Sequence, residues 1–251
     1  MSTSRRSLLL SACCAALAPI TARAQAHPVT WVTGEVPPFL WRGSAGPQGY
    51  AYELFQLVIK RAGMAADLQI YPWARALRLM QQGQAQVCLI AARTPAREAQ
   101  FAWLFPVGSF RFALLTRRGQ PALAWDPAVL RDRRIAVLRG SSSREWLDEV
   151  GLPVAAEGRD YAELVALLRR GVVDAILGPE AVVRAQLGHL GLPQDSVQAV
   201  ALPRRLDLYA VSLPSLPEAQ QRLIADAYRS LQDDGSVARL KRRHASAFAD
   251  D

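Results

Sequence analysis

The stretch LMQQGQAQVCLIAARTPAR, residues 79–97, decides the fold class. Its first residues end a helical pattern that runs from 74 to 82 and stops at Gly83, the residue type that most readily closes a helix. After a short turn the chain enters VCLIA at 87–91, an apolar run of strand length. Helix end, glycine, turn and buried strand recur in LLRRGVVDAIL at 167–177, with Gly171 following Gly83 by 88 residues. Any α/β unit can produce this echo, so it indicates two similar lobes only weakly.

Further strand candidates are VTWVT at 29–33, FALLT at 112–116, RIAVL at 134–138, DAIL at 174–177 and LYAVSL at 208–213. Helical patterns lie between them at 50–62 before Gly63, at 160–170 before Gly171, and at 217–234 from Pro217 to Gly235. Asp160 and Glu163 have the spacing of a capping box, and Leu164, Leu167 and Leu168 form an apolar stripe. The alternation is that of an α/β fold. Residues 117–121, RRGQP, are a polar Gly/Pro stretch suited to a linker between two lobes.

One loop has a chemical reading. In IAVLRGSSSREWL, 135–147, a strand-like run passes through Gly140, Ser141 and Ser142 into a helical pattern. Backbone N–H groups at a helix start can hold a ligand carboxylate or phosphate. The same residues also read as a plain cap, because Ser142 and Glu145 have the S-x-x-E spacing and Ser143 is itself a good cap. The loop is not a nucleotide P-loop, lacking the second glycine followed by Lys-Ser or Lys-Thr.

The first 26 residues have a basic start, an apolar stretch from Leu8 to about Leu17 and small residues at Ala22, Ala24 and Ala26, the pattern of a secretory signal peptide. Arg5-Arg6 fits either the twin-arginine or the ordinary Sec route, and Leu10-Ser11-Ala12-Cys13 also resembles a lipoprotein box that would anchor the chain through Cys13. No later stretch reaches the roughly 18–20 apolar residues of a membrane span. Cleavage after Ala26 leaves Cys88 alone, which excludes an internal disulfide, and its apolar surroundings predict a buried, inert thiol.

The formal charge of +8 falls to +5 when Arg5, Arg6 and Arg23 leave with the signal. What remains is scattered arginine, not the concentrated basic face of a nucleic-acid binder. The compact cluster Lys241-Arg242-Arg243-His244 suits the end of a terminal helix. The histidines His27, His189 and His244 show no metal-ligand spacing, no cofactor motif is present, and there is no G-x-S-x-G or Cys/His arrangement.

The order of motifs resembles the periplasmic solute-binding proteins of family 3, receptors for polar amino acids and related solutes in ABC import. TGEVPPFLW at 33–41, GYAYELFQLVIKRAG at 49–63, the W-x-R-A-L and T-x-x-R elements within 71–107, LRDRRIAVLRGSSSREWL, LLRRGVVDAILGPE and LQDDGSVARLKRRH at 231–244 carry it. The resemblance implies a hinge-connected pair of α/β lobes, with lobe one from 27–116 and 206–251 and lobe two from 117–205. It further implies a cleft that closes on a small-molecule ligand, a monomer, and an ABC permease in the inner membrane as partner.

On the same basis Arg97 takes a ligand carboxylate through paired hydrogen bonds, Trp73 stacks on the ligand, and Gly140, Ser141 and Ser142 face the cleft. Arg75, in the first helical turn where positive charge meets the positive dipole end, would answer an anion or point to water. Tyr50 and Glu35 are expected at the cleft rim. The acidic residue that the family uses for an α-ammonium should lie five residues after Asp174, where Pro179 stands, with Glu180 one step along as a substitute. The ligand is therefore expected to be a small anionic or zwitterionic solute, an amino acid or an organic acid. Two other readings stay open: a dehydratase-like enzyme on the same fold, with Glu35 or Glu180 as the acid, and a ligand-sensing partner protein.

Overall fold

The computed structural model describes residues 28–248, so the expected signal peptide lies outside them. In chain order the first half carries β1 (Val29–Thr33), β2 (Trp41–Gly43), β3 (Gly46–Gln48), α1 (Tyr50–Ala62), β4 (Ala66–Ile70), α2 (Trp73–Gln81), β5 (Val87–Ala92) and β6 (Ala102–Arg117). The second half carries α3 (Pro127–Leu130), β7 (Ile135–Leu138), α4 (Ser142–Glu149), β8 (Ala156–Gly158), α5 (Tyr161–Arg169), β9 (Ala175–Pro179), α6 (Glu180–His189), β10 (Val197–Ser212), α7 (Glu218–Asp233) and α8 (Ser236–Arg243).

Eight strands form one sheet in the order β4-β1-β5-β10-β6-β9-β7-β8, while β2 and β3 pair as a separate hairpin. β4, β1 and β5 are parallel, as are β9, β7 and β8. Between the two sets run the long strands β6 and β10, antiparallel to each other. β5 pairs with β10 over Leu208–Ser212, beside the start of β6, whereas β9 pairs with β6 over Phe112–Leu115, near its end. β5 and β6 run the same way and β9 runs against them. The carboxyl ends of the two parallel sets therefore point at each other, and open α/β sheets bind ligands beyond those ends.

The two cores lie on the two sheet faces. Trp31, Leu89, Leu114, Val137 and Leu177 pack on one face with Leu54 of α1, Leu147 of α4, Ile224 of α7 and Leu240 of α8. Their strand neighbours Val32, Cys88, Leu115, Ala136 and Ile176 pack on the other, with Met80 of α2, Leu164 of α5 and Val183 of α6. Side chains alternate along a strand, so runs apolar at every position feed both cores, each buried large side chain contributing about 1.5–3 kcal/mol.

Local chemistry sets the helix limits. α1 buries Tyr50, Ala51, Leu54, Phe55 and Val58 along one stripe. It ends where Gly63 takes φ 62°, with Gly63 N–H donating to Lys60 O and Met64 N–H to Ile59 O, the paired bonds of a Schellman motif. The Asp160 carboxylate caps α5 by accepting from Glu163 N–H, while the Glu163 side chain reaches back to Arg159 N–H.

The expected strands at 112–116 and 208–213 prove to be the ends of two sixteen-residue strands. The register of β10 slips between Ala201 and Arg205, across Leu202, Pro203 and Arg204. Proline cannot donate to the ladder, and a Pro-Arg-Arg run reads as loop until a partner strand is placed beside it. Residues 117–121 form the turn at the far end of β6, where Arg118 N–H donates to Ser196 O.

Candidate functional site

The elements after the facing strand ends build one site. Val36 follows β1, Trp73 opens α2 after β4, Arg97 follows β5 in a 3-10 turn at Pro95–Arg97, Ser141 and Ser142 follow β7, and Tyr161 opens α5 after β8. With Ile90, Ala92, Phe110, Leu138 and Leu208 they line a cavity of about 50 Å³. A water needs about 10–15 Å³ of such space, so the cavity has room for a few waters and a larger solute requires the walls to part. Apart from Arg97 and the two serines, its walls are aliphatic and aromatic.

Arg97 is buried, 4% exposed, and crosses to the opposite wall. Its Nε donates to Glu145 Oε1 over 2.8 Å and its Nη2 lies 2.7 Å from the same oxygen. Nη2 also donates to the Gly140 carbonyl over 3.1 Å. The other Glu145 oxygen, Oε2, accepts from the Thr94 hydroxyl at 2.9 Å. Trp73 Nε1–H donates to the Gly140 carbonyl over 2.7 Å, and the Arg97 guanidinium lies 5.4 Å from a Trp73 ring centroid. Arg97 and Trp73 thus both hold one carbonyl, at the glycine whose φ of 66° turns the loop.

Ser141 caps α4, its hydroxyl accepting from Arg144 N–H. Glu145 does not close a capping box with Ser142; its carboxylate turns away from the helix toward Thr94 and Arg97. The S-x-x-E spacing accounted for Glu145 locally and so hid its role. Burial pushes the Tyr161 hydroxyl well above the usual tyrosine range, which leaves it a neutral polar group. Burial likewise pushes the Cys88 thiol up to about 12, and it is the free cysteine among the described residues.

Of the residues singled out in the sequence, Arg97, Trp73, Ser141 and Ser142 come together on the cavity, and Gly140 touches two of them through its carbonyl. The others lie elsewhere. The Arg75 guanidinium is exposed and sits 4.3 Å over the Tyr71 ring. Tyr50 is fully buried in the core, its ring edge-on to Phe248 with centroids 4.7 Å apart. Glu35 is exposed, beside Arg42 at 3.5 Å, and lines a neighbouring recess with Arg42, Trp73 and Tyr161. Glu180 starts α6 and pairs with Arg184 at 2.7 Å. Pro179 ends β9 next to Phe112. Tyr161, Phe110 and Leu208 were not foreseen, because apolar residues at strand or helix positions read as ordinary core.

The fold is shared with solved structures. The arginine-, lysine-, histidine-binding protein ArtJ of Geobacillus stearothermophilus superposes with a TM-score of 0.76 at 16% identity, over 87% of this chain and 95% of that one. A putative L-cystine ABC transporter from Listeria monocytogenes gives 0.75 at 18% identity, over 88% and 97%. A histidine kinase sensor domain with similarity to periplasmic binding proteins gives 0.76 at 18% identity, over 87% and 96%. Nothing among the curated proteins matches the sequence. The model of the bacterial extracellular solute-binding proteins, family 3, matches residues 29–247. Two lobes with facing strand ends, a cleft site between them and this match along almost all the described chain have one outcome: the chain belongs to the bacterial extracellular solute-binding proteins, family 3.

Proposed function

We propose that this protein is an exported, monomeric receptor that captures a small anionic or zwitterionic solute between its lobes and delivers it to an ABC permease in the inner membrane. The observation that carries this reading is the buried Arg97 at the cavity, a guanidinium whose paired N–H groups match a carboxylate. Lobe one takes in the chain up to the first crossing on β6 and beyond the second crossing on β10, and lobe two the chain between, so residues 112–116, whose strand pairs with β9, go with lobe two and not with lobe one as a division at 116/117 has it. The hinge falls where the long strands change outer neighbours, between Gly108 and Phe112 on β6 and between Ala201 and Asp207 on β10. A ligand touching both walls favours closure through its greater affinity for the closed arrangement.

The binding role is favoured over a dehydratase by the surroundings of its two candidate acids. Glu35 sits beside Arg42 and Glu180 pairs with Arg184, both away from the main cavity lining. A general acid needs to stand within hydrogen-bond reach of the reacting group.

The test is a thermal-shift screen of the mature protein, unfolded and refolded to strip bound solute, against amino acids, dicarboxylates, sulfonates and aromatic acids. A ligand at 100 times its Kd adds about 2.7 kcal/mol of stability, enough to raise the melting temperature visibly. A stabilising compound supports the reading, and silence across the panel opposes it.

A further inference from the structure

The Arg97–Glu145 pair joins the two walls of the cleft, Arg97 from the segment after β5 and Glu145 from α4. A solute carboxylate that takes the paired Nε and Nη2 groups of Arg97 does so in place of the Glu145 carboxylate, which holds that edge of the guanidinium. The displaced Glu145 then has Thr94 as a partner and no cation, at a position two-thirds buried, since its side chain is 32% exposed. An unpaired carboxylate there is costly. A solute that brings its own ammonium group removes this cost, because its carboxylate pairs with Arg97 while its ammonium pairs with Glu145. One internal ion pair is exchanged for two, and net charge in the cleft is unchanged.

We propose that Glu145 is the specificity-determining acid of this site, and that the Arg97–Glu145 pair is a slot for a zwitterion with an apolar body. The acidic position expected five residues after Asp174 holds Pro179, the last residue of β9, which has no charge and no N–H, so the acid is supplied from a different element. The apolar body follows from the larger part of the remaining lining: Val36, Ile90, Phe110, Leu138 and Leu208 offer neither charge nor side-chain hydrogen bonds, beside the hydroxyls of Ser141, Ser142 and Tyr161. A simple carboxylate leaves Glu145 unpaired, and a simple amine leaves Arg97 unpaired. The inference rests on the solute-binding reading above and adds the class of solute.

The experiment uses two matched trios as calorimetric and thermal-shift probes of the stripped, full-length mature protein. They are L-leucine, 4-methylpentanoate and 3-methylbutylamine, and L-phenylalanine, 3-phenylpropanoate and 2-phenylethylamine. The wild-type protein is expected to bind at least one amino acid about 30-fold or more tighter than both its deaminated and decarboxylated partners. In Glu145→Gln the acid-only compound should gain on the amino acid until the two lie within about threefold. Equal binding of acid and amino acid by the wild type overturns the proposal, and so does a Glu145→Gln protein that keeps the full preference. The wild-type ranking decides the first point even if the variant fails to fold. Should another apolar amino acid of the wider panel bind where both trios are silent, it and its deaminated and decarboxylated partners take their place in the comparison; silence of every apolar amino acid while another compound binds overturns the proposal and spares the solute-binding reading, and silence of every compound removes both.

Discussion

Trp73 donates its indole N–H to the carbonyl of Gly140, 67 residues further along the chain and on the opposite wall of the cleft. The bond is 2.7 Å long and its acceptor also receives the Arg97 guanidinium. Trp73→Phe keeps an aromatic ring and removes this donor. A net loss of about 0.5–1.5 kcal/mol in urea unfolding is expected, the ordinary worth of one hydrogen bond. An unchanged midpoint would mean that the bond contributes nothing to holding the walls together.

Phe105 of β6 stacks on Tyr228 of α7 with ring centroids 4.9 Å apart and planes within 10°. Phe105 is 1% exposed, so its removal opens a cavity between the sheet and the helix that follows the second long strand. Phe105→Ala should cost about 3–5 kcal/mol by chemical denaturation, and Phe105→Leu markedly less. A loss below 1 kcal/mol for the alanine variant contradicts this packing.

The aspartate that opens the DAIL run ties β9 to β7. Asp174 accepts from the Arg134 backbone N–H at 2.9 Å and from its Nη2 at 2.6 Å. The Arg134 guanidinium is the main reason its carboxyl lies below the usual range. A carboxyl depressed in the folded state adds stability that is complete above its unfolded value near 3.9 and is lost as pH falls through the lower folded value. Asp174→Asn should therefore lower stability at pH 7 by about 0.5–1 kcal/mol, the scale of a partly exposed pair. The difference should shrink as pH falls below about 4 in a pH series of urea melts. A gap that stays constant into acid removes the pair as its source.

Cys88 sits within β5 with its Sγ directed at the Ile90 carbonyl, and burial holds the thiol up to about 12. The thiolate is the reactive form. A thiol reagent at pH 8 should leave the native protein unlabelled over minutes and label it fully in denaturant. Rapid native labelling would show that this strand opens locally.

Much of the fold was legible because it is written in local chemistry. β5 is a short run of apolar residues, β1 is made of β-branched residues around one tryptophan, and α1 ends at a glycine in the left-handed region. β8, of sequence AEG at the sheet edge, and β4, of sequence ADLQI at the other edge, carry no such run and were not foreseen. Edge strands are covered on one side only, so polar residues are tolerated there. Within the site, Arg97, Trp73 and the serine loop stood out by residue type and by resemblance. Glu145 did not, since its spacing from Ser142 had a sufficient local explanation and its partners Thr94 and Arg97 lie 51 and 48 residues away. Only the facing of the two parallel strand sets brings them into contact.

On the proposed reading a solute lies between the lobes with its carboxylate on Arg97. That placement is tested most directly by titrating the stripped wild-type protein and Arg97→Ala calorimetrically with the strongest carboxylate-bearing compound of the screen. The variant is expected to bind at least about 30-fold more weakly, a loss of about 2 kcal/mol or more. Equal affinity in a folded Arg97→Ala protein would contradict it.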